Sequence, residues 1–92
     1  MEPHIEWDPH KEQINFKKHG VQFTEAVTAL EDELALTIED DHPAEVRLIT
    51  LGTADTGRLL VVVYTFRGEN IRIISARKAT AAERQTYERD NT

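Results

Sequence analysis

From Arg58 to Lys78 the chain reads RLLVVVYTFRGENIRIISARK, and Leu59 to Phe66 are eight consecutive apolar, aromatic or β-branched residues. So continuous a run does not suit a strand with one wet face; it calls for a central strand covered on both sides. Gly68, Glu69 and Asn70 supply turn chemistry, and Ile71 to Arg77 is again rich in β-branched residues, so the stretch predicts a hairpin around which the rest must fold. A turn of two or four residues sets Phe66 opposite Ile71 and Leu60 opposite Arg77, which makes Arg58 and Arg77 diagonal neighbours on one face. The hairpin carries Arg58, Arg67, Arg72, Arg77 and Lys78 against a single acid, Glu69. A sheet centre edged with arginine points to an anionic partner.

The flanking sequence predicts elements on both sides. Ile5 and Trp7 alternate with Glu6 as a small edge strand; Asp8 then caps a helix beginning at Pro9 and running to about His19, with Gly20 as its left-handed stop. Lys17, Lys18 and His19 fill its last turn, where cations complement the helix dipole. That helix is weakly apolar, offering mainly Ile14 and Phe16, so Trp7 is expected to supply much of its burial. Thr24 is the expected cap of a short second helix through Ala26, Val27 and Leu30. Alternation predicts strands over 34–39, 45–51, 58–67 and 70–77, with Asp40-Asp41-His42-Pro43 as a turn. Loops this short make the strands an antiparallel meander. Thr80 and Glu83 form a capping box for a last helix over 81–89. The expected architecture is α+β: two N-terminal helices, an antiparallel sheet of four to five strands, and a C-terminal helix, with the helices covering one sheet face.

Length and composition set the limits. Ninety-two residues predict one domain, 1–92. No apolar run approaches the ~20 residues that span a bilayer, and the opening MEPHIEWDP is acidic with no hydrophobic segment, so the expectation is a cytoplasmic protein without membrane contact. The absence of cysteine excludes disulfides and thiolate zinc sites. Net charge is −6, unevenly divided: residues 1–45 balance at −9 and residues 46–92 at +3. The acids of the first half read either as a solvated face or as a docking surface for a basic partner.

Four histidines lie on separate elements without HExxH spacing, Ser75 has no G-x-S-x-G elbow, and the four glycines stand at turns or caps. Metal, serine hydrolase and nucleotide-loop chemistry are therefore not expected, and no cofactor is called for. A stand-alone DNA-binding domain is disfavoured, since no helix is basic enough to enter a groove. The remaining residues suit a metal-free attack on RNA, which carries its own nucleophile in the 2′-OH. Arg77 and Arg58 are candidates to grip the phosphate, His19 to move a proton, and Tyr87 or Tyr64 to orient the phosphate or act as acid. Each also has a plain structural reading: helix cap for His19, core for Tyr64, packing for Tyr87, ion pairs for the arginines.

Spaced motifs run nearly the whole length: Glu6-Trp7-Asp8 with Lys11 and Asn15; Lys18-His19-Gly20-Val21 with Phe23 and Ala26; Arg47; Gly52; Arg58 through Thr65; Arg67; Arg72 through Ala79; and Glu83-Arg84 with Tyr87. In these the chain resembles the BrnT toxins of type II toxin–antitoxin pairs, within the wider RelE-like group of ribonucleases. The resemblance implies a RelE-like α+β fold, RNA cleavage that halts translation, neutralisation by a BrnA-type antitoxin, and operator DNA binding only through that complex. It implies Lys11, Lys18 or His19, Arg67, Arg77 and Tyr87 as site residues; Lys18, Arg58, Arg72 and Lys78 complete the expected RNA-binding set. The chain departs from the family pattern at Ala81, Ala82, Gln85 and Thr86, where extra arginines are common, and at Leu30 and Glu33. The competing reading is a non-catalytic binding module, or a degenerate toxin kept as a subunit of an autoregulatory repressor.

Overall fold

A computed structural model describes residues 4–91, so the first three residues of the acidic opening lie outside it. In chain order the elements are β1 (Ile5–Glu6), α1 (Pro9–His19), α2 (Phe23–Leu30), β2 (Leu36–Asp41), β3 (Val46–Thr53), β4 (Leu59–Arg67), β5 (Asn70–Lys78) and α3 (Ala81–Asp90). Helix α1 starts and stops where its sequence says: the Asp8 carboxylate accepts from the His10 amide at 2.8 Å, and Gly20, at φ 69°, donates its amide to Phe16. Helix α2 begins earlier than Thr24. Gln22 stands at its cap without a side-chain bond, and the Phe23 amide is met instead by the Glu12 carboxylate of α1, 2.8 Å away. A cap lent by another helix leaves no local pattern to read. Thr80 and Glu83 form the expected capping box at α3. None of the helices among the described residues is long and apolar enough to cross a membrane.

The sheet order is β1-β5-β4-β3-β2. Strands β2 to β5 form the expected antiparallel meander, but β1 lies parallel to β5, pairing Ile5 with Ile71 and Glu6 with Arg72, so the sheet is mixed rather than antiparallel throughout. The chain between β1 and β5 is long, and no tight turn dictates their relative direction. Strand β2 starts two residues later than predicted and carries Asp40 and Asp41 into the ladder opposite Arg47 and Val46. The turn falls at 42–45, closed by the Glu45 amide on the His42 carbonyl.

The hairpin turn has two residues and Phe66 does oppose Ile71, but a bulge then resets the register. Val63 pairs with Ser75 and Tyr64 with Ile73, leaving Ile74 without a partner. Beyond it Leu60 faces Lys78, and Arg77 faces Val61 rather than Leu60. Arg77 therefore lies on the sheet face opposite to the one predicted, and it is not a diagonal neighbour of Arg58.

On the inner face Leu60, Val62, Tyr64, Ile73 and Ala76 pack against Val21, Phe23, Ala26 and Ala29, with the Trp7 ring edge-on to Phe23 at 6.0 Å. Fully burying residues such as Phe23, Leu60 and Ile73 contributes about 1.5–3 kcal/mol each. Gly52 admits the end of α2: a Cβ there would stand 2.3 Å from the Ala29 carbonyl oxygen. Helix α1 does not anchor through Ile14 and Phe16, which are 54% and 47% exposed; its one buried residue is Asn15. Helix α3 crosses to the outer face, where Glu83, Thr86 and Asp90 lie beside Leu36, Leu51 and Val61. The helices thus divide between the faces instead of sharing one.

Candidate active site

The floor of the site is made by the irregularity in β5. Because Ile74 is an extra residue, Arg72, Ser75 and Arg77 oppose Thr65, Val63 and Val61 and so share the outer face. In an unbroken strand Arg72 would point away from the other two. Ser75 is consequently flanked on one face by two arginines, the nearer, Arg77, about 6.6 Å along the strand.

The wall of the site is α1, laid along the part of the β5 edge that the two-residue β1 does not reach. Asn15 takes the place of a neighbouring strand: its Nδ2 donates to the Ala76 carbonyl at 2.8 Å and its Oδ1 accepts from the Ala76 amide at 3.1 Å. The same Nδ2 also meets the Val21 carbonyl at 3.2 Å. Lys11, Asn15 and Lys18 follow i, i+4, i+7 spacing, so anchoring the amide aims a lysine to either side of it. The result is a shallow groove of about 220 Å³ lined by Lys11, Lys18, His19, Ile74 and Ser75 among others. No ion pair engages Lys11, Lys18 or Arg72 among the described residues. Their charge is available to an anion.

The other predicted site residues are placed differently. Arg77 sits beside the groove but is gripped by α3: Nη1 and Nη2 donate to the Glu83 carboxylate at 2.8 and 2.9 Å. Chiefly that contact holds the Glu83 carboxyl down at about 2 and raises Arg77 above the usual guanidinium value. Arg58 reaches the Gly20 carbonyl next to His19, yet its Nε and Nη2 donate to Glu25, whose carboxyl is lowered first by this contact. Its role is to tie the β3–β4 loop to the start of α2. Arg67 lies on the outer face four residues beyond Val63, about 13 Å from the groove. Lys78, opposite Leu60, is exposed at the far end of β5.

Neither tyrosine lines the groove. Tyr64 is buried with its hydroxyl 2.9 Å from Thr50 Oγ1. The Tyr87 hydroxyl donates to Asp32 at 2.6 Å and accepts from Thr53 at 3.2 Å, which fastens α3 to β3. Burial first, and then the Asp32 bond, raise the Tyr87 phenol; Asp32 itself, which burial pushes up, is brought below its ordinary value by the Thr53 amide, Tyr87 and the Leu34 amide. Sequence reasoning missed the roles of Asn15, Ser75 and Ile74. The readable sign was a lone amide midway between two lysines on one helical stripe.

The family model described as "Ribonuclease toxin, BrnT, of type II toxin-antitoxin system" matches residues 7–83. The fold is similar to the crystal structure of the Brucella abortus ribonuclease toxin BrnT, with a TM-score of 0.64 and 26% identity, over 85% of this chain and 97% of that one. No curated protein sequence matches. With Trp7 to Glu83 covered by the family model and the fold shared with a member, the chain belongs to the BrnT family of ribonuclease toxins of type II toxin–antitoxin systems.

Proposed function

We propose that the α1–β5 groove is a metal-independent endoribonuclease site, and that cleavage there inhibits translation in the cytoplasm until a BrnA-type antitoxin neutralises the chain. The observation that carries this reading is the meeting of Lys11, Lys18 and His19 with the bulged Ile74–Ser75 step, between Arg72 and Arg77 on the same sheet face. A phosphodiester lying over Ser75 has cations on both sides. The 2′-oxygen attacks phosphorus and its proton passes to the His19 imidazole. Arg72 and Arg77 neutralise the charge that builds on the phosphoryl oxygens, with Lys11 and Lys18 adding to it from the helix. The P–O5′ bond breaks, and a lysine ammonium of α1 protonates the departing 5′-oxygen. The products are a 2′,3′-cyclic phosphate and a 5′-hydroxyl. Tyr87 and Arg58 act from a distance in this scheme, by holding α3 and the end of α1 in place.

The purified chain incubated with an oligoribonucleotide in EDTA is expected to yield those termini. A substrate with 2′-deoxy sugars should remain intact, and His19→Ala should slow cleavage by about 10²-fold or more with the fold unchanged by circular dichroism. Cleavage that needs a divalent ion, or that proceeds on the deoxy substrate, overturns the mechanism. An inactive chain that still binds an antitoxin would instead be a binding subunit.

A further inference from the structure

The two edges of the sheet are finished in different ways. At one, β1 pairs with Ile71 and Arg72 and the Asn15 amide meets both backbone groups of Ala76, so the β5 edge is covered in part. At the other, β2 runs for six residues with Thr37 to Asp41 exposed and, among the described residues, no strand beyond it. A free edge about 20 Å long presents a row of unpaired amides and carbonyls. Beside it on the outer face lies a groove of about 490 Å³ between the sheet and α3, floored by Leu36, Ile38, Ile49, Leu51 and Val61. Ile38 is 64% exposed and Leu34 54%. The second half of β2 is acidic, and Glu39, Asp40 and Asp41 take part in no ion pair among the described residues.

We infer that β2 and this groove form a docking site for an extended, basic segment of a partner protein, which adds to the sheet as a sixth strand. Main-chain pairing along β2 supplies the attachment and alternate side chains supply the selection. A strand laid there has neighbours Leu36, Ile38 and Asp40 on the outer face and Thr37, Glu39 and Asp41 on the inner. The fitting sequence therefore places apolar residues over Leu36 and Ile38, and Lys or Arg beside Glu39, Asp40 and Asp41. A second copy of this chain is the wrong occupant, because two β2 edges side by side gather six carboxylates between molecules that each carry −6. The site goes beyond the ribonuclease reading and does not rest on it, since the strand that takes the partner, β2, stands at the opposite sheet edge from β5 and the α1 groove.

The probe is a blocked, fluorescent ten-residue peptide of alternating valine and lysine, titrated into the full chain by anisotropy. It should bind, slow hydrogen exchange at the β2 amides, and lose about tenfold or more in affinity with the exposed-edge variant E39K/D40K and again with Ile38→Asp. A peptide of the same sequence with every backbone amide N-methylated cannot donate to β2 and should also bind about tenfold or more weakly. Absence of binding, equal binding of the N-methylated peptide, or protection confined to α1 overturns the proposal. So does sedimentation of the chain as a dimer that Ile38→Asp dissociates. RNA cleavage by E39K/D40K, measured alongside, should match the parent, so failure of the docking site and failure of the nuclease reading give different results.

Discussion

Asn15 satisfies both backbone groups of Ala76 from a helix that otherwise contributes nothing fully buried, so one amide sets where α1 lies on the sheet. Truncating it leaves the Ala76 amide and carbonyl and the Val21 carbonyl without a partner in a buried place. Asn15→Ala is expected to destabilise by about 2–3 kcal/mol in urea unfolding, more than an apolar truncation at half-exposed Ile14 or Phe16. Because Lys11 and Lys18 ride on the same stripe, the variant should also lower the rate constant of cleavage under conditions where it is fully folded. An unchanged rate there would mean that Asn15 is only structural. Ser75 and the arginines around it illustrate a different dependence. Their side chains are unremarkable in type, and it is one unpaired residue, Ile74, that brings Arg72 and Arg77 to the same face.

At the scale of elements, α3 is the contrast to α2. Helix α2 packs Phe23, Ala26 and Ala29 into the core, whereas α3 buries no residue and is held by polar contacts: Tyr87 with Asp32 and Thr53, Asn91 with the Leu34 carbonyl, and Glu83 with Arg77. The Glu83 carboxyl drops from its ordinary 4.5 to about 2 in the folded chain, first through the Arg77 bond. Its stabilisation is complete above about 4.5 and disappears as pH falls toward 2. Both side chains are partly exposed, which reduces the effect to about 0.5–1 kcal/mol. Urea unfolding of the parent and Glu83→Gln should therefore differ by that amount at pH 6 and converge near pH 2; a constant gap would show that the carboxylate charge is not what holds the pair. The same contact bears on the proposed groove, because a phosphate and Glu83 compete for the Arg77 fork.

For the whole molecule, charge and sheet edges are arranged together. Cations from α1 and β5 meet at one side of the sheet, while Glu39, Asp40 and Asp41 mark the other. RNA affinity should fall steeply with salt, with a log–log slope of roughly −2 to −3 for three or four phosphates neutralised, and Lys18→Ala should flatten it by roughly 0.7. A slope unaffected by Lys18 would place the RNA elsewhere. Much of this architecture was legible in the order of residues. The apolar run from Leu59, the Gly68 turn, the Asp8-Pro9 start, the Gly20 stop and the Thr80–Glu83 box are local signals, and each forms as its neighbours dictate. What tertiary structure alone decided involves groups distant in the chain: the parallel seat of β1, the Glu12 cap on α2, the partners of Arg58 and Tyr87, and the Asn15 bond to a residue 61 positions away. The bulge belongs with these. A period of two predicts faces only while pairing is unbroken, and whether one residue is left out depends on how both strands meet the core. Local chemistry could thus name the elements, and packing chose which cations stand together.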